Sequence, residues 1–169
     1  MGSISKNSSN SFQCIDALEV SLSIEKQGFI YYDKAAKSAI DPRVRDVFLR
    51  LANEEKEHIQ SLQNTARFLQ PALASKATSR KSRTESFIKN EILGKVFPIP
   101  GDDKKRAHIA HSDFEALNIG INAEMRSIEV LSELMADEKK MDVRMIFNHL
   151  LAEEKKHLLV LEEIKKELS

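Results

Sequence analysis

One cysteine, no tryptophan, four prolines and five glycines are all that 169 residues contain of these types. The lone Cys14 excludes an intramolecular disulfide and a metal site built from paired cysteines. So few turn formers, beside 41% hydrophobic and 31% charged residues, disfavour a turn-rich sheet protein and point to an all-α fold. No apolar run approaches the ~20 residues that span a bilayer, and the opening MGSISKNSSNSFQ lacks the apolar centre of a secretory signal. A reducing, cytoplasmic setting without membrane contact is therefore expected. Neither sign of charge is in excess: 26 Lys plus Arg balance 26 Asp plus Glu, so no global field recruits nucleic acid or anionic lipid. A chain of this length fits one domain, which buries roughly 70% of its unfolded surface.

What the sequence does have is period. In four segments apolar residues recur at alternating steps of three and four, the mark of a helix with one buried stripe. The first stripe reads Ile15, Leu18, Leu22, Glu25, Phe29, Tyr32, Ala36. The second follows Asp41-Pro42, an N-cap and first-turn proline, and reads Val44, Phe48, Leu51, Glu55, His58, Leu62, Thr65, Leu69. The third, after Ser112-Asp113, is Phe114, Leu117, Ile121, Glu124, Ile128, Leu131, Met135. The fourth is Val143, Phe147, Leu150, Glu154, His157, Leu161, Ile164, Leu168.

The two halves align without a gap at an offset of 99 residues, 21–62 on 120–161, with ten identities that include Glu25/Glu124, Phe48/Phe147, Glu55/Glu154 and His58/His157. Such a repeat of a helical hairpin builds a pseudo-twofold four-helix bundle. The short connections near 37–42 and 136–141 make each hairpin antiparallel. The expected organisation is a floppy terminus over 1–12 and one domain over 13–169, with a long crossover at 71–111. That crossover opens with a basic run holding Lys76, Arg80, Lys81 and Arg83, then carries an amphipathic stretch from about Thr84 to Val96. Phe87, Ile88, Ile92 and Val96 would cap the bundle.

Six stripe positions are charged or titratable: Glu25, Glu55, His58, Glu124, Glu154 and His157. Burying one unpaired carboxylate costs several kcal/mol, and four facing one another also repel. No lysine or arginine stands on the stripes to compensate. Two divalent cations would bring four positive charges to four carboxylates, and each Glu-x-x-His pair puts both side chains on one helix face. Oxygen and nitrogen donors without thiolate suit iron first, with manganese or zinc possible. The alternative is a metal-free bundle whose polar layers satisfy one another by hydrogen bonding.

With these residues in view the sequence resembles the ferritin-like di-iron carboxylate superfamily, most closely its rubrerythrin-like branch. SIEKQGFIYY resembles the first-helix motif, and EEKEH and EEKKH resemble the metal-binding pairs, over 14–70 and 112–168. The resemblance implies a ferritin-like four-helix bundle of two hairpins. It implies Glu25 and Glu124 as terminal ligands, Glu55 and Glu154 as bridges, and His58 and His157 capping one metal each. It further implies an oxidoreductase acting on oxygen or hydrogen peroxide, with a non-catalytic iron-binding or sensing protein as the alternative. Without the paired cysteines of a rubredoxin domain, electrons come from an external donor. Ser127 stands where rubrerythrins carry an additional third-helix glutamate associated with peroxide reduction. A homodimer is expected from the family and from Phe68, Ile146 and Leu159, which fall outside the seam.

Tyr32, two turns from Glu25, is a weak candidate for a hydrogen bond or electron near the metals; its repeat partner is Leu131, which favours plain packing. His108, His111 and His149 read as surface residues, and Cys14 as a small core residue.

Overall fold

All four periodic segments are helices in the computed structural model, which describes residues 12–73, 77–98, 110 and 112–169. The bundle consists of α1 (Cys14–Ser38), α2 (Pro42–Leu73), α4 (Asp113–Ala136) and α5 (Met141–Glu167), with α3 (Ala77–Phe87) on the crossover. No strand occurs among the described residues. The fold is all-helical, as a ferritin-like bundle requires.

Local chemistry explains the helix starts. The Gln13 amide donates to Asp16 Oδ2 at 2.7 Å, and Ser112 Oγ accepts from the Glu115 amide, satisfying donors that a helix start leaves unpaired. Asp41 accepts from the Arg43 amide just ahead of α2, where Pro42 has no N–H to satisfy.

Long-range bonds set the directions of the helices. Asp113, opening α4, accepts from the amides of Ile40 and Asp41 in the α1–α2 connection. At the opposite end Cys14 Sγ donates to Asp142, and Lys140 Nζ donates to the Phe12 carbonyl, so α5 starts beside the start of α1. Hence α1 and α5 run parallel, α2 and α4 run the other way, and the crossover must climb the full bundle. It does so along α1: Thr84 donates to Asp16, the Gly94 amide donates to Gln27, and the Phe97 ring packs on Tyr31 and Tyr32.

The crossover therefore flanks the bundle instead of capping an end. Its helix starts earlier than the amphipathic pattern suggests, and it passes into a π-helical turn over Ile88–Ile92 that closes at Gly94, where φ is +69°. Ile92, Val96 and Phe97 are buried, whereas Phe87 and Ile88 are only partly covered. Lys81 and Arg83 are exposed, Lys81 lying 4.0 Å from Glu85. Lys76, His108, His111 and residues 1–11 lie outside the described residues, and Phe12 is buried against Phe87 and Phe147.

The α5 stripe is buried from Val143 to Ile164. Elsewhere the stripes need adjustment. On α1 the inward face also takes Ser21, Ile24 and Gly28 while Leu22 is only half-buried, because α1 is enclosed by α2, α5 and the crossover together. On α2 burial is complete down to Glu55 and then weakens: Leu62 and Leu69 are half-buried, and Thr65 is exposed. Pairing Glu25 opposite Glu55 puts the first residue of α1 level with about residue 66 at ~1.5 Å rise per residue, so α2 outruns its neighbour. Phe68 is accordingly 85% exposed, Leu159 is 65% exposed, and Ile146 packs partly against the core. Phe114 is also exposed, with Lys165 Nζ 5.2 Å above its ring. Cys14 is half-buried and bonded to Asp142, not a core residue; burial and that carboxylate push its thiol up to about 11.

Two aromatic layers bracket the middle of the bundle. Phe12, Phe87 and Phe147 meet edge to face at one end, and Tyr31, Tyr32, Phe48 and Phe97 cluster towards the other. Truncating Phe147, which is fully buried, should cost about 3–5 kcal/mol as Phe147→Ala, whereas Phe68→Ala should stay within about 0.5 kcal/mol. Urea unfolding followed by circular dichroism measures both.

Candidate metal centre

Between the aromatic layers the four helices deliver their charged stripe positions to one place. Glu25, Glu55, Glu124, Glu154 and His157 are buried, and His58 is half-buried. Ligand atoms of Glu55, Glu124, Glu154 and His157 lie within 4.8 Å of one another, as do those of Glu25, Glu55 and His58. Glu55 belongs to both groups, so the two clusters share a carboxylate. All six residues singled out in the sequence thus converge, and the two imidazoles stack with centroids 5.9 Å apart.

Apart from the hydrogen bond between His58 and Glu25, they converge without satisfying one another. His157 Nδ1 lies 3.4 Å from Glu55, 3.6 Å from Glu124 and 3.7 Å from Glu154, yet neither of its ring nitrogens has a hydrogen-bond partner. Glu55 Oε2, Glu124 Oε2 and Glu154 Oε2 are likewise buried and unpartnered. Buried polar atoms are almost always bonded, so three carboxylate oxygens and His157 Nδ1, orphaned around one point, need a common explanation. Donor atoms that face a shared centre without bonding one another have the arrangement of metal ligands. The donor set, carboxylate oxygen with imidazole nitrogen, fits a hard or borderline divalent metal.

The charges respond to the same crowding. Burial, reinforced by the neighbouring Glu25 carboxylate, raises Glu55 well above the usual carboxylate range, and burial with the charge of Glu154 does the same to Glu124. For Glu154 burial is outweighed by the Glu124 carboxyl, the His157 ring and the Ser127 hydroxyl, and its pKa is held low. Burial disfavours the cation of His157, but the carboxylates of Glu124, Glu154 and Glu55 outweigh it and raise the imidazole. Glu25 raises His58, whose Nδ1 lies 3.3 Å away.

A family model described as Rubrerythrin matches residues 16–165. The chain belongs to the rubrerythrin family. No curated protein and no solved structure matches it. A single cysteine leaves these 169 residues without the paired cysteines that a rubredoxin site needs.

Around the centre stand residues that the sequence brought forward weakly, Tyr32 and Ser127, and others that it did not. Tyr32, noted as a weak candidate, is fully buried and donates a short hydrogen bond to Glu124 Oε1, while burial and Glu124 push its phenol far up, so it keeps its proton. Ser127 Oγ donates to Glu154 Oε1 at 2.7 Å. Glu54 Oε2 lies 3.3 Å from His157 Nε2, and Glu153 Oε2 lies 3.9 Å from His58 Nε2. Each outer glutamate thus reaches the histidine of the other repeat. The doubled glutamate in both EEK motifs was the available signal: the inner member faces the centre and the outer member faces the opposite imidazole. Phe97 and Gly28 carried no signal in their own segments. His149 is exposed, as expected.

Metal uptake and proton loss should be linked here. Groups with raised folded pKa values stabilise the metal-free protein below their unfolded values and lose that contribution as pH rises through the folded ones. Glu55, Glu124, His58 and His157 all act in this direction, and Glu154, held low, has finished titrating before pH 6. Chelator-treated protein should therefore melt lower at pH 8 than at pH 6, while affinity for a divalent metal rises over the same interval because ligands must be deprotonated. Calorimetric melts and metal titrations at both pH values check the two opposite slopes.

Proposed function

We propose that this chain is a non-haem di-iron oxidoreductase that reduces oxygen or hydrogen peroxide with electrons from a separate donor. The observation that carries the reading is the group of orphaned donor atoms on Glu55, Glu124, Glu154 and His157, buried together with no lysine or arginine among them. In this reading Glu25 and Glu124 are terminal ligands, Glu55 and Glu154 are shared between two metals, and His58 and His157 hold one metal each. The presence of Glu55 in both donor groups supports its shared role. A bound iron pair would supply the electrons, two per peroxide, with two protons taken up and two waters released.

The protein's own contribution is orientation and exclusion of water. The Tyr32 hydroxyl fixes Glu124, and its high pKa keeps it a donor throughout the neutral range. Ser127 fixes Glu154 in the same way. Glu54 stands 3.3 Å from the His157 nitrogen turned away from the centre, and Glu153 stands near the corresponding nitrogen of His58. The two ends differ in access: the His157 side chain is 2% exposed and that of His58 22% exposed. A small oxidant therefore enters on the His58 side. Exposed Phe68 and Leu159 suit a second copy of the chain, the homodimer expected from the family.

A second reading, an iron-binding protein without turnover, draws on Ser127, a neutral residue where a further glutamate is associated with peroxide reduction. Anaerobic ferrous protein mixed rapidly with peroxide, under an excess of reductant, separates the two. Repeated turnover is expected, and a single slow oxidation would favour the second reading. Protein purified without chelator should carry close to two metal ions per chain by elemental analysis, and the Glu55→Ala, Glu154→Ala double variant should carry almost none. Equally negligible metal in both would sink either reading.

A further inference from the structure

The 99-residue repeat makes Gly28 and Ser127 equivalent positions, each three residues beyond a terminal glutamate and each buried. Their surroundings are also equivalent, because each faces the inner glutamate of the adjacent helix in its own hairpin. Their chemistry is opposite. Ser127 Oγ donates to Glu154 Oε1 at 2.7 Å, which ties that carboxylate to α4. Gly28 offers nothing to bond. A Cβ built there would lie 2.6 Å from Glu55 Oε1, 3.0 Å from its carboxyl carbon and 3.3 Å from the Phe97 ring. The Glu55 carboxylate thus occupies the volume a side chain would fill, flat against the backbone of α1, and its Oε2 is unpartnered.

Glycine inside a helix is ordinarily less stable than alanine, so its presence here needs a packing reason. The other glycine of the bundle helices, Gly120, is different in kind. Its Cβ would meet nothing closer than 3.3 Å, and that atom is the end of the Leu161 side chain.

We propose that Gly28 and Ser127 are positioning residues that make the two inner glutamates unequal. Ser127 locks Glu154 in one orientation, and Gly28 supplies the space in which the Glu55 carboxylate lies and turns. This rests on the reading of Glu55 and Glu154 as ligands shared by two metals, and it assigns the adjustable ligand to one half of the repeat. A carboxylate tied to a hydroxyl must break that bond to rotate, and Gly28 offers Glu55 no such tie to α1. Phe97, buried beside Gly28, walls off the space from solvent.

The test compares Gly28→Ala, Ser127→Ala and the control Gly120→Ala by two independent readouts. In anaerobic titration with ferrous ion, Gly28→Ala should weaken binding by tenfold or more, as losses around a metal site commonly do. Ser127→Ala should weaken it measurably, and Gly120→Ala should stay within twofold of the parent. The second readout is the urea midpoint of chelator-treated protein in a double-mutant cycle with Glu55→Ala. Gly28→Ala should lower the midpoint when Glu55 is present. It should raise it in the Glu55→Ala background, where only helix propensity remains, and that background also keeps the test alive if the single variant folds poorly. A midpoint raised equally in both backgrounds, with ferrous affinity unchanged, overturns the proposal while leaving the metal centre intact. Parent protein that binds no ferrous ion, with the stability coupling present, overturns the metal reading and reduces Gly28 to a steric contact.

Discussion

Among the described residues, four glutamates share the interior of this bundle with two histidines and no lysine or arginine. That constraint governs the rest of the molecule. Taking an ion out of water costs several kcal/mol even after relaxation, and like charges at this spacing add to the cost. Part of that cost is met by shifted titration: burial raises the Glu55 and Glu124 carboxyls, and the surrounding carboxylates raise His157. Protonation does not supply the missing bonds, because three carboxylate oxygens and both His157 nitrogens remain without partners. An interior so arranged is tolerated only because the surrounding helices hold it. The aromatic layers above and below, the ties from Asp113 to the α1–α2 connection and from Asp142 to Cys14, and the crossover strapped along α1 all serve that end.

Much of this could be read from the sequence because two signals coincided. A 3.6-residue period identified the helices, and departures from apolarity within the period identified the six converging residues. The repeat then fixed their pairing, since residues 99 apart must occupy related places in a pseudo-twofold bundle. The signal failed where burial came from something other than the seam. Gly28 lies inward because a neighbouring carboxylate needs its missing side chain, which no hydropathy pattern encodes. Phe97 is buried by the path of the crossover, a long-range property. Thr65 and Phe114 fit the period and are exposed all the same, because helices of unequal length leave stripe positions without a neighbour.

The two halves share the converging glutamates and histidines and differ around them. Tyr32 is matched by Leu131, Gly28 by Ser127, and a half-exposed His58 by a sealed His157. Each difference points the same way. Hydroxyls hold Glu124 and Glu154 and His157 is closed off, whereas Glu55 lies against a glycine and His58 is nearer solvent. A symmetric scaffold thus acquires one fixed side and one adaptable side without altering the donor set, which is the division a site needs if a small oxidant enters at one end while ligand geometry is held at the other.

The account turns on whether cations complete the interior. Diffraction from crystals grown without chelator, with anomalous data collected on both sides of the iron edge, addresses this most directly. Two anomalous peaks roughly 3.5–4 Å apart, each touching Glu55 and Glu154 and one histidine, are predicted. A centre without anomalous density, in which the glutamates hydrogen-bond among themselves or to water, would contradict it.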